Sequence, residues 1–426
     1  MSKLKTYKFS KLYEMSSGIS SKPEQAGHGF PFLSFSTVFN NQFIPEFFPD
    51  LMDTSEKERN TYSVKEGDIF LTRTSETLDE LGMSSVATNE IPNATYSGFL
   101  KRLRPLQTDI SYHRFMAFYL RSKLFRKTMN NNAIMTLRAS LNEQIFSYLD
   151  LLLPEFKEQK KIGDYLYLLN QKIELNNKIN IELEDMAKLI YDYWFVQFDF
   201  PNANGKPYKS SGGKMVYSEK LRREIPEGFG VGVFDEYAKV KPGFAFKSSW
   251  WQSSGLSVVK IKDIQENNTL NQKEFSYVSK DKIDIAGKFA SKANDVVIAM
   301  TGATIGKFAI IPKTDSPLLI NQRVGLYDLG NDPILKLPFL INSMKQEFFR
   351  KMIFQLAGGA AQPNISGEQL GSLPLIMPPS NLVDKYNTLM QSNYKKYSNN
   401  EAESQHLIRL RDWLLPMLMN GQVTVK

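Results

Sequence analysis

The chain repeats itself, and the repeat limits what it can fold into more than any single motif does. Gly67-Asp68-Ile69-Phe70-Leu71-Thr72-Arg73-Thr74 lines up with Asn294-Asp295-Val296-Val297-Ile298-Ala299-Met300-Thr301 at an offset of 227 residues. Phe125-Arg126-Lys127 falls on Phe349-Arg350-Lys351 at 224, and Leu153-Pro154 on Met377-Pro378 at the same distance. The change of three is local, because Thr77–Gly82 carries three more residues than Thr304–Gly306. Earlier matches keep the trend: Gly18 pairs with Gly243 at 225, and Phe32–Phe35 with Val258–Ile261 at 226. Such copies are far too long for solenoid units and read as duplicated domains. Two similar domains in one chain suit the reading of two similar but different targets.

Each copy has a globular half followed by a helical half. Short β-type runs broken by Gly, Pro, Asn and Ser fill 1–153 and 225–378, among them Asp68–Thr72, Asp295–Ala299, Phe308–Ile311 and Val324–Tyr327. Helical stretches are expected over Tyr112–Met129 and Pro338–Leu356. From Phe156 to Phe195 strong helix formers dominate, with Gly163 the one interruption. Steps of four and three give Ile162, Leu166, Leu169, Ile173, Asn176, Asn180, Leu183, Ala187, Ile190 and Trp194, a heptad seam with two amides in its middle. After Pro379 the same stepping gives Val383, Tyr386, Met390, Asn393, Tyr397, Asn400, Ser404, Leu407, Arg411 and Leu414. The simplest arrangement packs the two helices against each other, with Leu407, Trp413 and Leu414 on the second helix's packing face. The fold class is therefore α/β (α+β): two similar globular domains separated by two long helices packed as an antiparallel coiled coil, a pseudo-two-fold internal repeat. The expected divisions are 1–153, 154–200, 201–378 (a polar linker to about 224, then the second domain) and 379–426.

Charge is unevenly spread. Residues 201–378 hold 23 Lys and Arg against 16 Asp and Glu, a net +7, while 154–200 hold 6 against 9. A polyanionic partner suits the globular parts. There is no cysteine, which excludes disulfides and thiolate metal sites. No run approaches the ~18 apolar residues of a membrane helix, and Met1-Ser2-Lys3-Leu4-Lys5 leads into no signal-like stretch. The expectation is a cytoplasmic protein with no membrane association.

A search for catalytic chemistry returns little. The three histidines, His28, His113 and His406, are scattered. Gly302–Lys307 is one residue short of a phosphate-binding loop and continues with Phe308 where a hydroxyl should stand. No Asn-Pro-Pro-aromatic run offers a methylating site, and Glu158-Gln159-Lys160 reads as a solvated helix face. No catalytic residue, metal or cofactor is expected.

What remains suits binding. Arg73, Thr74 and Ser75 follow one strand, and Thr301, Thr304 and Lys307 follow its counterpart. Arg102 and Arg104 lie at positions comparable to Gln322 and Arg323, and Arg138 at one comparable to Gln362 and Asn364; Lys247, Lys260 and Lys262 add positive charge. Arg, Asn and Gln can bond base edges, whereas Lys and hydroxyls reach phosphates. All are expected to be loop residues on a scaffold.

Longer motifs carry a resemblance. Leu152-Leu153-Pro154-Glu155-Phe156-Lys157-Glu158-Gln159-Lys160-Lys161-Ile162, Trp194–Pro201, Tyr208–Met215 and Leu410–Gly421 resemble, in this order, segments of the specificity subunits of type I restriction-modification enzymes. The second copy departs from the pattern, since Pro379–Asp384 lacks the Glu-Gln pair. The resemblance implies two target recognition domains, each reading one half of a bipartite double-stranded DNA site, with helices that set the gap. It also implies docking of two methylation subunits, which carry S-adenosylmethionine, and of restriction subunits, with this chain as the non-catalytic reader. The other reading is a coiled-coil scaffold that never touches DNA.

Overall fold

The computed structural model describes residues 4–20, 22–75, 80–132, 139–140, 143–358 and 363–425. The chain forms two compact units, one of Met1–Ile173 with His406–Lys426, the other of Glu174–Gln405.

In the first unit the strands used below are β1 (Lys5–Lys8), β2 (Tyr13–Ser17), β3 (Ala26–Leu33), β4 (Ile69–Thr72), β5 (Thr74–Ser75), β6 (Ser84–Val86), β7 (Thr95–Tyr96) and β8 (Leu100–Pro105). Helix α1 (His113–Arg121), β9 (Ala139–Ser140), β10 (Asp150–Leu153) and the long helix α2 (Phe156–Tyr191) follow. The central antiparallel sheet has the order β2-β8-β4-β6. Every residue of β4 is buried, and the period of two explains why. Ile69 and Leu71 enter the core against α1, while Phe70 enters a second core with Leu33, Val38 and Tyr96. β3 pairs in parallel with β7 through Phe32–Thr95 and Leu33–Tyr96. β1 pairs antiparallel with β10, so the globular half closes on its own first strand.

The second unit has β11 (Gly230–Val233), β12 (Val240–Pro242), β13 (Leu256–Val259), β14 (Val296–Ala299), β15 (Phe308–Ile310), β16 (Leu318–Ile320), β17 (Val324–Tyr327), α3 (Leu337–Met344), β18 (Pro374–Met377) and the long helix α4 (Ser380–Met419). Its sheet order, β12-β17-β14-β15, repeats that of the first unit strand for strand. β14 again divides its side chains, Val296 and Ile298 to one core and Val297 and Ala299 to another. The parallel pair recurs as β13 with β16, and the closing pair as β11 with β18. The mixed α/β class and the duplicated domains thus stand in the fold.

Two expected helices differ in detail. Each is broken in two: α1 is followed by a separate helix Lys123–Asn132, and α3 by Glu347–Ala357. At the first break the Ser122 hydroxyl accepts from the Phe125 amide, capping the new helix. The polar segment before the second domain is also more ordered than its turn residues suggest. Met215–Ser218 pairs antiparallel with Arg223–Pro226.

Within the second unit α2 and α4 run antiparallel, since rising numbers on one meet falling numbers on the other. Asn176 Nδ2 donates to Glu403 Oε2 at 2.8 Å, Asn400 Nδ2 to Asn180 Oδ1 at 2.9 Å, and the Tyr386 hydroxyl to the Ala187 carbonyl at 2.9 Å. Leu183 and Ile190 are half-buried, and Trp194 is buried in a π-helical turn, Asp192–Val196, among Phe195 and Tyr386. Within the first unit Ile162, Leu166, Leu169 and Ile173 are buried, Leu407 and Leu414 pack on the core, and Arg411 donates to Asn170 Oδ1. Trp413 corrects the sequence reading, being 66% exposed. It stands one residue before Leu414, about 100° around the helix, and so leaves the packing face.

Gly163 also has a reason. A Cβ there would lie 2.6 Å from the Phe115 amide nitrogen, so the absent side chain lets α2 press onto the start of α1. Gln159, expected on a solvated face, is fully buried. It donates to the Ile110 and Pro154 carbonyls and accepts from the Tyr112 amide at 3.0 Å. The second copy lacks that glutamine, yet Asn387, further into α4, accepts from the Phe339 amide at the start of α3. Either amide satisfies a donor that a helix start leaves free.

Candidate nucleic-acid interface

Each unit carries a tight turn next to its central strand, and the two turns match bond for bond. In the first unit Ser97-Gly98-Phe99-Leu100 is closed by Leu100 N donating to Ser97 O at 2.9 Å. In the second, Asn321-Gln322-Arg323-Val324 is closed by Val324 N donating to Asn321 O at 2.8 Å. The turn's second amide donates to the segment just after the central sheet's first strand, β2 or β12: Gly98 N to Ile19 O, Gln322 N to Phe244 O. Its third amide is held by the first side chain: Phe99 N by Ser97 Oγ and Arg323 N by Asn321 Oδ1, both at 3.2 Å. The third carbonyl accepts from the residue after the central strand, Arg73 N in one unit and Met300 N in the other. Gly18 and Gly243 make the approach possible, for a Cβ there would lie 2.4 Å from the Ser97 carbonyl oxygen in one unit and 2.3 Å from that of Asn321 in the other.

Beside each turn a second contact recurs. Thr74 pairs with Ser140 across β5 and β9, and Thr301 forms an isolated bridge with Asn364. The structure therefore brings Thr301, Gln322, Arg323 and Asn364 to one region, and sets Arg73 and Thr74 in the equivalent region of the first unit. Arg73, Gln322 and Arg323 are exposed. Ser75 lies in β5; its side chain, Arg138 and Gln362 lie outside the described residues.

Of the expected contact residues, two arginines are engaged within the fold and two threonine hydroxyls are buried. Arg102 and Arg104 are not loop residues but lie on β8. Arg102 is buried, its Nη1 donating to the Ser63 carbonyl at 2.9 Å, and Arg104 forms a two-point ion pair with buried Asp68 at 2.8 and 2.6 Å. Strand register shows where the comparison with Gln322 and Arg323 slipped: Phe70 faces Arg102 where Val297 faces Leu326. The positions matching Gln322 and Arg323 are Gly98 and Phe99. The Thr301 and Thr304 hydroxyls are buried without a partner, so neither presents a donor at the surface. Gly302–Lys307 forms a 3-10 turn that leads into β15, not into the helix a phosphate-binding loop requires.

The lysines divide. Lys262 and Lys307 pair with Glu274 at 3.7 Å and Glu266 at 2.8 Å. Lys260 stands 3.6 Å from the centre of the Trp251 ring, and burial holds its ammonium below the ordinary lysine pKa. Lys247, with Lys282, flanks Trp250 at 5.7 and 5.2 Å. Only half of this aromatic–basic cluster is visible in sequence, as Trp250-Trp251 following Lys247; Lys282 is brought in by the fold. Among the described residues no group of three or more His, Cys, Asp or Glu is placed to hold a metal, and no helix is long and apolar enough to cross a membrane.

Residues 5–185 and 226–405 each match the family described as type I restriction modification DNA specificity domain. The chain belongs to that family, which spans both copies of its repeat. It is 22% identical over 422 residues to the type I restriction enzyme MjaIX specificity subunit of Methanocaldococcus jannaschii, covering 95% of this chain and 89% of that one. It is 23% identical to the type I restriction enzyme HindI specificity subunit of Haemophilus influenzae, covering 92% of this chain and 94% of the relative. The crystal structure of the type I restriction-modification system S subunit from M. genitalium has the same fold, with a TM-score of 0.59 at 12% identity over 98% of this chain and 96% of that one.

Proposed function

We propose that this chain is the DNA-reading specificity subunit of a type I restriction-modification enzyme. Its two domains each read one half of a bipartite site, and α2 and α4 together set the unspecified gap. The observation that carries the reading is the matched turn: one scaffold, used twice, presents different exposed side chains at equivalent points, as two different half-sites require. Solvated ion pairs such as Lys307–Glu266 contribute little stability, so these lysines can exchange a carboxylate for a phosphate. In this reading the chain supplies no catalytic group. Methylation subunits that bind S-adenosylmethionine dock on its helices, and restriction subunits join them.

The test is the adenine methylation pattern of a host expressing the chain with its methylation subunit. The expected result is one methylated bipartite motif with a fixed gap. Matched insertions of about one turn in α2 and α4, near Asn176 and Asn400, should change the gap and leave both half-sites intact. A soluble complex that methylates nothing and retains no duplex DNA would sink the reading and favour a protein scaffold.

A further inference from the structure

The matched turns place an aromatic ring in the first domain where the second has a guanidinium. Phe99 is 67% exposed at the third position of its turn. A phenyl ring so open to water is unfavourable by itself, because apolar surface is driven out of water. No fold requirement explains it: the same backbone, held by the same hydrogen bonds, carries Arg323 in the second unit. The fold therefore needs the turn but not the ring.

We infer that position three of this turn is a base-reading position in both domains, with Phe99 reading its half-site by apolar contact and Arg323 by hydrogen bonding. This rests on the DNA-reading role proposed above. The turn's rigidity matters here. Its amides and carbonyls are tied to the neighbouring segment, to the residue after the central strand, and to its own first side chain. A side chain on such a turn loses little backbone freedom on binding. A guanidinium bonds guanine O6 and N7 in two places, whereas a phenyl ring meets the thymine methyl group, the one apolar feature of the major-groove edge. The first half-site should therefore contain a thymine whose methyl group is read, and the second a guanine.

The experiment uses the full chain in complex with its methylation subunit and selects bound sequences from a randomised duplex DNA library, for wild type, Phe99→Ala, Phe99→Arg and Arg323→Ala. The expected result is relaxed preference at one base pair of the first half-site for Phe99→Ala, about tenfold or more, as loss of one good base contact implies. Arg323→Ala should do the same in the second half-site only, and Phe99→Arg should move the affected position toward guanine. Replacing that thymine by uracil, which lacks the methyl group, should weaken wild type and leave Phe99→Ala unchanged. Both side chains are exposed, so unaltered melting curves are expected. Variants that select the wild-type site overturn the inference while leaving the DNA-reading role standing. Loss of both half-sites from one substitution also overturns it. A wild-type complex that selects no sequence overturns the role and the inference together.

Discussion

The two units differ most clearly at one buried carboxylate. Asp68 and Asp295 occupy equivalent places before the central strand, and each accepts from the amide three residues earlier, Lys65 N at 2.8 Å and Lys292 N at 2.7 Å. In the first unit Arg104 neutralises the carboxylate from the neighbouring strand. In the second unit burial, helped by the charge of Asp328, pushes Asp295 up to about 6. The duplication kept the backbone duty of the aspartate and let its charge partner change. Local turn geometry and long-range charge pairing are thus separable requirements of this domain.

The largest test of that separation is Arg104→Ala. It leaves Asp68 buried and unpaired, and should lower the first unit's stability by about 3 kcal/mol, as breaking a buried pair does. Urea unfolding followed by a probe in each unit checks it, and an equal loss in both units would refute the local assignment. Next come Gly18→Ala and Gly243→Ala, each expected to destabilise its own unit by about 2 kcal/mol through backbone overlap. Markedly unequal losses would mean that the two turns are not equivalent. The smallest effect is a gain. Because Asp295 is raised, the folded chain keeps a proton that the unfolded chain has already lost. The group's contribution is present below the ordinary 3.8 and is lost as pH rises through about 6. Asp295→Asn should therefore stabilise the second unit at pH 7 by about 1 kcal/mol, allowing for partial solvent screening. The gain should vanish as pH falls below 3.8, which urea midpoints at the two pH values will show.

The repeat makes much of the fold legible in the sequence. Asp68–Thr72 and Asp295–Ala299 are apolar enough, and short enough, to be central strands, and their constant offset forces a duplicated domain. The candidate site is less legible. Arg323 reads as comparable to Arg102, three residues from its counterpart Phe99, although the offset of 224 that holds beyond Gly82 already places it on Phe99. Arg104 reads as a surface cation because nothing near it in sequence announces Asp68, 36 residues away. Trp413 shows the converse, an apolar residue near a seam that points to solvent.

Sequence alone determined the duplication, the strand-rich globular halves and the two long helices, since these follow from local periodicity and from spacing repeated along the chain. Only the tertiary structure decided which charged side chains are used internally, which glycines allow a close approach, and that Phe99 and Arg323 stand exposed on one matched turn. Those outcomes depend on contacts between residues far apart in the chain, where burial and hydrogen-bond partners, not residue type, set what a side chain can do.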